Sequence, residues 1–323
     1  MDPVIYDYGW GITCIDTMYV QPGRAACYLI VQDNRAAFID TGTAHTVPYL
    51  LEVLKSKRIP PEAVEFVIPT HVHLDHAGGA GVLMEKLPNA TLVIHPNGAR
   101  HLIDPTKLVM GATEVYGAEN FMRHFGEIRA VNKQRVFTAE DQTTIKLASR
   151  TLTFIDTPGH ARHHFCVYDE TSKGFFTGDT FGLSYKELDN KNGAFIMPTT
   201  TPVQFDPDAW QSSLDRLLEF CPQNMYLTHF GRVTEISRLA KELRQDINRY
   251  AEIAKLHARE DGRGSKILAS LTEYLHQRLK DCDFTQDIDV TTEFLRDDLN
   301  LNTAGLEVWL DRLDKQSRQK VNE

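Results

Sequence analysis

The chain has 323 residues, of which 42% are hydrophobic and 24% are charged, a composition typical of a globular protein that buries a core. Its net charge of −9 argues against the basic surface that nucleic-acid binding requires, so no nucleic-acid partner is expected. No apolar run approaches the length of a membrane-spanning helix, about 18 residues, so no membrane partner is expected either.

The cysteines and the opening residues bear on the cellular compartment. The five cysteines are widely spaced and form no C-x-x-C pair, which favours a reducing compartment and argues against a disulfide framework or a thiolate metal site. The first residues, MDPVIYDYGWG, have neither the basic nor the apolar region of a signal peptide. We therefore expect a cytoplasmic protein.

The first half of the chain predicts short strands and then alternating helices and strands. Residues 12–40 contain short apolar runs separated by turn residues, which is typical of β-structure. The elements that follow are predicted from apolar spacing; in chain order they are a helix (45–57), the strand VEFVI (64–68), a histidine-rich loop, a helix from Gly79 and the strand ATLVIH (90–95). Residues 97–125 show no pattern that places them in one element.

The second half predicts another set of strands and then a purely helical region. The strand segments are TIKL, TLTFID, HFCVYD and GFFTGD, followed by a polar loop, a helix around Trp210 and the strand MYLTH. After Gly231 apolar residues recur at helical spacing, with breaks predicted at residues 262–264 and at Asn302. We predict a domain over residues 1–232 and a helical region over residues 233–323 that packs on it.

The stretch PTHVHLDHAGGA, residues 69–80, concentrates side chains of the kind that bind metals. His71, His73, Asp75 and His76 lie within six positions. Buried together without a cation, they would suffer desolvation and mutual repulsion, and a divalent metal removes both costs. Further ligand candidates each follow a predicted strand, where loops can converge over a rigid scaffold; they are His160, Asp179 and His229.

In this order, the motifs resemble those of the metallo-β-lactamase-fold superfamily: H-x-H-x-D-H, a His after T-P-G, an Asp in T-G-D and a His before F-G. The segment FIDTG (38–42) is similar to the first motif of that family, whose Asp, here Asp40, supports the metal loop from behind the ligands. The resemblance covers roughly residues 12–232 and favours the glyoxalase-II-like or lactonase-like branch. It implies a four-layer αββα sandwich, with the helical region as an extension.

The resemblance also implies a binuclear metal centre. One metal would be held by His71, His73 and His160, the other by Asp75, His76 and His229, and Asp179 would bridge the two. For the two divalent ions that the resemblance implies, imidazole and carboxylate donors without thiolate favour zinc, with iron or manganese as alternatives. Two cations that share a water lower its pKa and generate a hydroxide nucleophile. Asp75 would additionally pass a proton to the leaving group.

The third motif, GHARHH, departs from the G-H-x-x-G-H of members that cleave thioesters or lactones, because His163 replaces the second glycine. His164 matches the second histidine of that pattern, and we predict that it supports the centre from behind the ligands. We predict that His163 is an exposed or packed side chain. For contacts with the substrate the candidates are Phe181 and Tyr185, as apolar residues of the loop after Asp179. Lactonase-like members also use a tyrosine, at a somewhat shorter distance from the bridging Asp than Tyr185.

We predict a binuclear metallohydrolase that acts on a thioester, lactone or phosphoester bond of a small molecule. One alternative is an iron-dependent oxidoreductase of the same fold, of the persulfide-oxidising or diiron type, although His73 stands where flavodiiron relatives carry Glu. Another alternative is a metal-holding protein that has lost catalysis. Antibiotic hydrolysis is not expected, because the signal peptide and the cysteine ligand of the secreted enzymes are missing. We expect the helical region to cover the active site or to form a homodimer surface.

Overall fold

The computed structural model describes residues 2–321, which divide into two compact units that interleave along the chain. Of these residues, the first unit comprises 2–157, 163–178 and 217–234. The second unit comprises residues 158–162, 179–216 and 235–321. Among the described residues, no helix is both long enough and apolar enough to cross a membrane.

The first unit contains two β-sheets. The strands of the first sheet are β1 (Ile5–Gly9), β2 (Ile12–Asp16), β3 (Ala26–Gln32), β4 (Arg35–Ile39), β5 (Val64–Ile68), β6 (Thr91–Ile94) and β7 (Val136–Thr138), adjacent in that order. β1 to β4 pair antiparallel, whereas β4 to β7 pair parallel. Because β4 and β5 pair parallel, their carboxyl ends are neighbours at one edge of the sheet.

The second sheet has six strands. They are β8 (Thr144–Leu147), β9 (Arg150–Asp156), β10 (Phe165–Asp169), β11 (Gly174–Gly178), β12 (Asn224–Leu227) and β13 (Gly231–Val233). They lie in the order β13–β12–β11–β10–β9–β8, and only β11 and β12 pair parallel. The predicted strands of both sheets are present, with β1, β7 and β13 in addition.

The core of the first unit lies on both faces of its first sheet. Tyr28 of β3 meets Phe176 and Tyr226 of the second sheet, with ring centroids 5.2 and 5.8 Å apart. The opposite face packs against helices through a cluster of buried apolar residues that includes Leu50 and Leu83. Because both faces are covered, the strands are nearly continuous apolar runs rather than alternating ones.

The first unit has six helices among its described residues: α1 (Val47–Ser56), α2 (Leu74–Ala77), α3 (Ala80–Lys86), α4 (Pro96–Ile103), α5 (Thr106–Tyr116) and α6 (Ala118–Phe125). The last three occupy the stretch that the sequence left unassigned. Gly117 and Gly126, with φ of 76° and 70°, separate and end α5 and α6, so no single periodic pattern extends through the stretch. The predicted histidine-rich loop contains the single turn of α2, which begins directly after His73.

The remaining helices are α7 (Pro207–Glu219), α8 (Ile236–His257), α9 (Arg263–Asp281), α10 (Ile288–Phe294) and α11 (Arg296–Val321). In the second unit, α8 buries Leu239, Leu243 and Ile247 along the predicted stripe. Arg278 of α9 forms an ion pair with Glu242 of α8 at 2.9 Å, and burial lowers the pKa of this guanidinium. An ion pair therefore joins α8 to α9.

The predicted break at Asn302 is wrong, because α11 runs through this position without interruption. Asparagine disfavours helix interiors mainly because its side chain competes for nearby backbone groups. Here the amide is 1% exposed and bonds instead to another segment, accepting from Thr200 N and donating to the Pro198 carbonyl. The tertiary contact thus removes the reason for a break.

Candidate metal centre

The predicted ligands of the first unit follow the carboxyl ends of its strands. Ile39 of β4 pairs with Ile68 of β5, and the backbone N–H of Asp40 donates to the Ile68 carbonyl at 3.0 Å. Asp40 therefore emerges beside the start of the histidine-rich segment. His229 follows the end of β12 by two residues.

The histidine-rich segment turns sharply between β5 and α3. His73 stands at the N-cap of α2, which carries Asp75 and His76 on one turn. A glycine is required at position 79, because a Cβ there would lie 2.7 Å from the Thr43 carbonyl oxygen and 2.9 Å from that of Thr41. The segment can therefore pack directly on the loop after β4, which explains the glycines that close the motif.

Two groups of donor atoms lie next to each other in the first unit. His71 Nε2 is 2.8 Å from His73 Nδ1. Asp75, His76 and His229 form the other group, with one donor atom of each lying within 4.8 Å of the others. Within that group Asp75 Oδ2 is 3.3 Å from His229 Nε2. The rings of His71 and His76 are 4.0 Å apart, which places the two groups side by side.

In three of the histidines a backbone or carboxylate oxygen fixes the ring. Nδ1 of His76 lies 2.9 Å from Asp40 Oδ2, Nδ1 of His229 lies 2.7 Å from the Arg24 carbonyl, and Nδ1 of His160 lies 2.9 Å from the Thr199 carbonyl. Such oxygens only accept, so Nδ1 carries the proton and Nε2 is the atom able to coordinate a metal. This is the usual way in which proteins orient metal-binding histidines.

Asp40 joins three segments of the first unit. It is fully buried with φ of 57°, and it accepts hydrogen bonds from Thr70 N at 2.7 Å and Thr228 Oγ1 at 2.7 Å as well as from His76. This placement suits the supporting role that the family motif implies. Burial raises the pKa of the neighbouring Cys27 thiol well above its ordinary value, and the Asp40 carboxylate acts in the same direction. Both effects disfavour the thiolate form of this side chain.

His163 and His164 lie behind the histidine-rich segment. His164 is fully buried, its Nδ1 is 2.9 Å from Thr157 Oγ1, and its ring stacks on His71 at 4.8 Å. His163 is 8% exposed, and Val72 N donates to its Nδ1 at 3.5 Å. His163 is thus packed rather than exposed, and the supporting role of His164 stays a prediction.

The other predicted residues belong to the second unit. His160 Nε2 lies 3.2 Å from Asp179 Oδ2, and both side chains are almost completely buried. Phe181 is fully buried, and the Tyr185 hydroxyl donates to Asp298 Oδ1 of α11 at 3.1 Å. The contacts of Phe181 and Tyr185 are those of packed side chains, and their role towards a substrate stays a prediction.

The donor set fits divalent cations. Zinc binds imidazole nitrogen and carboxylate oxygen at about 2.0–2.2 Å, so ligand atoms around a tetrahedral zinc lie about 3.3 Å apart. The separations of His229 from Asp75 and of His160 from Asp179, 3.3 and 3.2 Å, agree with this value.

The sequence analysis did not identify the residues that support these ligands, among them Thr70 and Thr228. Each of these threonines directly precedes a predicted ligand histidine, and this Thr-His pair is the signal in the sequence by which they could have been found.

Comparison with known proteins identifies a family. Residues 20–222, more than half of the chain, match the family model for the metallo-beta-lactamase superfamily. The chain is 26% identical over 222 residues to the metallo-beta-lactamase fold-containing protein ST1585 of Sulfurisphaera tokodaii, covering 66% of this chain and 75% of that protein. The crystal structure of ST1585 superposes with a TM-score of 0.63 at 22% identity, covering 92% of this chain and 98% of that one. The likeness confirms the predicted fold class.

Two further relatives match shorter stretches. The acyl-coenzyme A thioesterase MBLAC2 of Homo sapiens is 26% identical over 183 residues, covering 53% of this chain and 63% of that protein. A hydroxyacylglutathione hydrolase of Pelagibacter ubique is 28% identical over 155 residues, covering 47% of this chain and 49% of that protein. The chain therefore spans less than two thirds of the length of either relative.

Proposed function

The chain belongs to the metallo-beta-lactamase superfamily, and we propose that it is a binuclear metallohydrolase that cleaves the thioester bond of a small-molecule substrate. The observation that carries the proposal is the convergence of Asp75, His76 and His229 beside His71 and His73. In His76 and His229, Nδ1 is hydrogen-bonded to a protein oxygen, which leaves Nε2 as the atom that can coordinate a metal ion.

We assign His160 and Asp179 to the same centre. The support is the order of the family motifs and the covalent chain: His160 lies three residues from Thr157 and from His163, and Asp179 directly follows β11. In this assignment His71, His73 and His160 would hold one ion, Asp75, His76 and His229 would hold the second, and the Asp179 carboxylate would be shared by both. A carboxylate has the charge and the two oxygens that such a bridge needs.

Bound there, two divalent cations would lower the pKa of a water and polarise the acyl carbonyl of the substrate. The protein's own residues supply orientation and proton transfer. The Asp75 side chain is 22% exposed, whereas Asp40 is fully buried, so Asp75 is the carboxylate that can exchange protons with a leaving group. Asp40 holds the histidine-rich segment in place while this occurs.

The choice of thioester over lactone and phosphoester rests on the relatives. Acyl-coenzyme A and hydroxyacylglutathione, the compounds in the names of two relatives, are both thioesters. A thiolate is a weak base with a conjugate-acid pKa of about 8.5, so it leaves readily once the carbonyl is attacked. Phosphoesters and lactones are therefore the comparison substrates rather than the expected ones.

Metal analysis and a substrate panel test the proposal together. Purified, zinc-reconstituted protein is expected to hold close to two ions per chain and to hydrolyse acyl-coenzyme A or S-acylglutathione with a higher kcat/KM than an acyl lactone or a phosphodiester. The variant Asp179→Asn is expected to lose metal and activity together, because a neutral amide does not balance the charge of two cations. One ion or none after reconstitution, or no thioester cleavage by metallated protein, would overturn the proposal. Tightly bound iron with dioxygen consumption would instead support the oxidoreductase alternative.

A further inference from the structure

Asn302 of α11 holds the chain segment that contacts His160. Its Oδ1 accepts from the backbone N–H of Thr200 at 2.5 Å, and its Nδ2 donates to the Pro198 carbonyl at 3.3 Å. The Thr200 hydroxyl also donates to the main-chain oxygen of Asn302 at 3.0 Å. Asn302 is 1% exposed and Thr200 is fully buried, so water does not replace these contacts.

A single peptide group connects Asn302 to His160. The Thr200 N–H and the Thr199 carbonyl are the two ends of one rigid, planar unit. The N–H end donates to Asn302, and the carbonyl end accepts from His160 Nδ1 at 2.9 Å. Rotation of this unit would break both hydrogen bonds at once, and hydrogen bonds in series polarise one another. The orientation of the His160 ring is thereby coupled to α11.

The backbone of α11 also lies directly against this segment. Gly305 follows Asn302 by about one helical turn, and a Cβ at Gly305 would lie 1.5 Å from the Thr200 carbonyl oxygen. Only glycine permits this approach. The segment is therefore held by the Asn302 side chain and by close backbone packing at Gly305.

We propose that Asn302 is a positioning residue for His160. Through the Thr199–Thr200 peptide group it fixes the tautomer and the ring orientation that present His160 Nε2, 3.2 Å from Asp179 Oδ2, to a metal ion. The inference rests on the proposed function, because the ion is the one proposed there. It gives the helical region a part in metal binding that is separate from covering the site or forming a dimer.

Asn302→Ala and Asn300→Ala form a matched pair for the test. Both remove an asparagine amide from α11, but Asn300 is exposed and two residues away. Zinc affinity, measured by competition with a chelator, is expected to fall about 10- to 100-fold in Asn302→Ala and to stay at the wild-type value in Asn300→Ala. Asn302→Asp keeps the acceptor for Thr200 N–H at the same size and is expected to retain most of the affinity. Equal affinities of folded Asn302→Ala and Asn300→Ala would overturn the proposal.

A second readout does not depend on metal. In protein labelled with ¹⁵N-histidine, NMR of the metal-free wild type and of Asn300→Ala is expected to show a slowly exchanging Nδ1–H of His160. That resonance is expected to disappear in Asn302→Ala. Its absence from the metal-free wild type, or its persistence in metal-free Asn302→Ala, would overturn the proposal. This holds even if Asn302→Ala binds too little zinc for its affinity to be measured. Loss of the resonance in Asn302→Ala, together with a wild type that binds no metal, would support the Asn302–His160 coupling and contradict the proposed function.

Discussion

At the scale of single residues, the candidate centre depends on oxygens that do not touch a metal. Asp40, the Arg24 carbonyl and the Thr199 carbonyl each accept from the Nδ1 of a different histidine. Each of them selects one tautomer, and without that selection a neutral imidazole exchanges its proton between both nitrogens. Substitutions behind the ligands should therefore weaken metal binding without removing a ligand.

Asp40→Asn tests this directly. The amide nitrogen must replace one of the two oxygens that accept from Thr70, Thr228 and His76, so at least one donor then faces another donor. Metal affinity is expected to fall about 10- to 100-fold, as measured by competition with a chelator. Thr228→Val removes a single donor to Asp40 and should cost less. Unchanged affinity in Asp40→Asn would contradict the supporting role.

Asp75→Asn tests proton transfer to the leaving group. A thiolate depends less on protonation as it leaves than an alkoxide does, and general acid catalysis is worth about 10²- to 10⁴-fold. The variant should therefore lose more kcat on an oxygen ester than on the thioester of the same acyl group. Both substrates are assayed on one metallated sample, so a change in metal content cancels in the ratio. A ratio equal to that of the wild type would assign Asp75 to metal binding alone.

At the scale of elements, glycines decide how closely strand ends and loops approach. Gly178, the last residue of β11, has φ of 48°, and a Cβ there would lie 2.5 Å from His164 Nε2 and 2.6 Å from Thr70 Oγ1. Gly111 in α5 is exposed, and a Cβ added there would meet no atom within 4 Å. The same substitution should therefore have opposite effects at the two positions.

Gly178→Ala is expected to destabilise the protein by about 1–3 kcal/mol, because the methyl group overpacks a well-filled region. It should also lower metal affinity, since the methyl group meets Thr70 and His164 behind His71. Gly111→Ala is expected to stabilise by about 0.5–1 kcal/mol, because alanine loses less backbone entropy inside a helix. Guanidinium-induced unfolding of both variants measures these changes. Equal effects at the two positions would show that the close contacts at Gly178 relax at little cost.

The helices of the second unit also limit which experiments are informative. Ile267, Leu271 and Leu306 of α9 and α11 are fully buried, so deleting residues 262–323 would expose the apolar stripe of α8. Such a truncation would lose solubility for reasons unrelated to substrate selection. Single substitutions in α11 are therefore the sharper way to examine the helical region, whose predicted roles as a cover or a dimer surface stay predictions.

At the scale of the whole molecule, a buried ion pair links distant parts of the first unit. Arg150 of β9 and Asp169 of β10 are both fully buried, with Arg150 Nε 2.7 Å from Asp169 Oδ1. Arg150 also donates to the carbonyl of Trp10, in the turn between β1 and β2 of the other sheet. One guanidinium thus satisfies groups on both sheets.

Arg150→Met is expected to destabilise the protein by about 3–5 kcal/mol, because it leaves the Asp169 carboxylate buried without its cation. The double variant Arg150→Met/Asp169→Leu should recover much of this loss, since no charge then remains in the core. Free energies of unfolding from the two single variants and the double variant complete the cycle. Strict additivity in that cycle would show that the two side chains act independently.

The sequence by itself determined the kind of site and the strands that carry it. The ligand types His71, His73, Asp75 and His76 fall within six positions, and the apolar runs before His160, Asp179 and His229 predict strands from local spacing. Such signals survive in a single sequence because each is made by neighbouring residues. The match to the family model then confirmed the fold class that they implied.

Only the tertiary structure decided how those ligands are held and whether α11 continues through Asn302. Two of the three Nδ1 acceptors are backbone carbonyls, those of Arg24 and Thr199, and the Asn302 amide is satisfied by residues 198–200, about a hundred positions away in the chain. Every residue carries a carbonyl, so such an acceptor leaves no mark in the sequence. A polar residue inside a helix indicates a break until the distant partner that satisfies its hydrogen bonds is known.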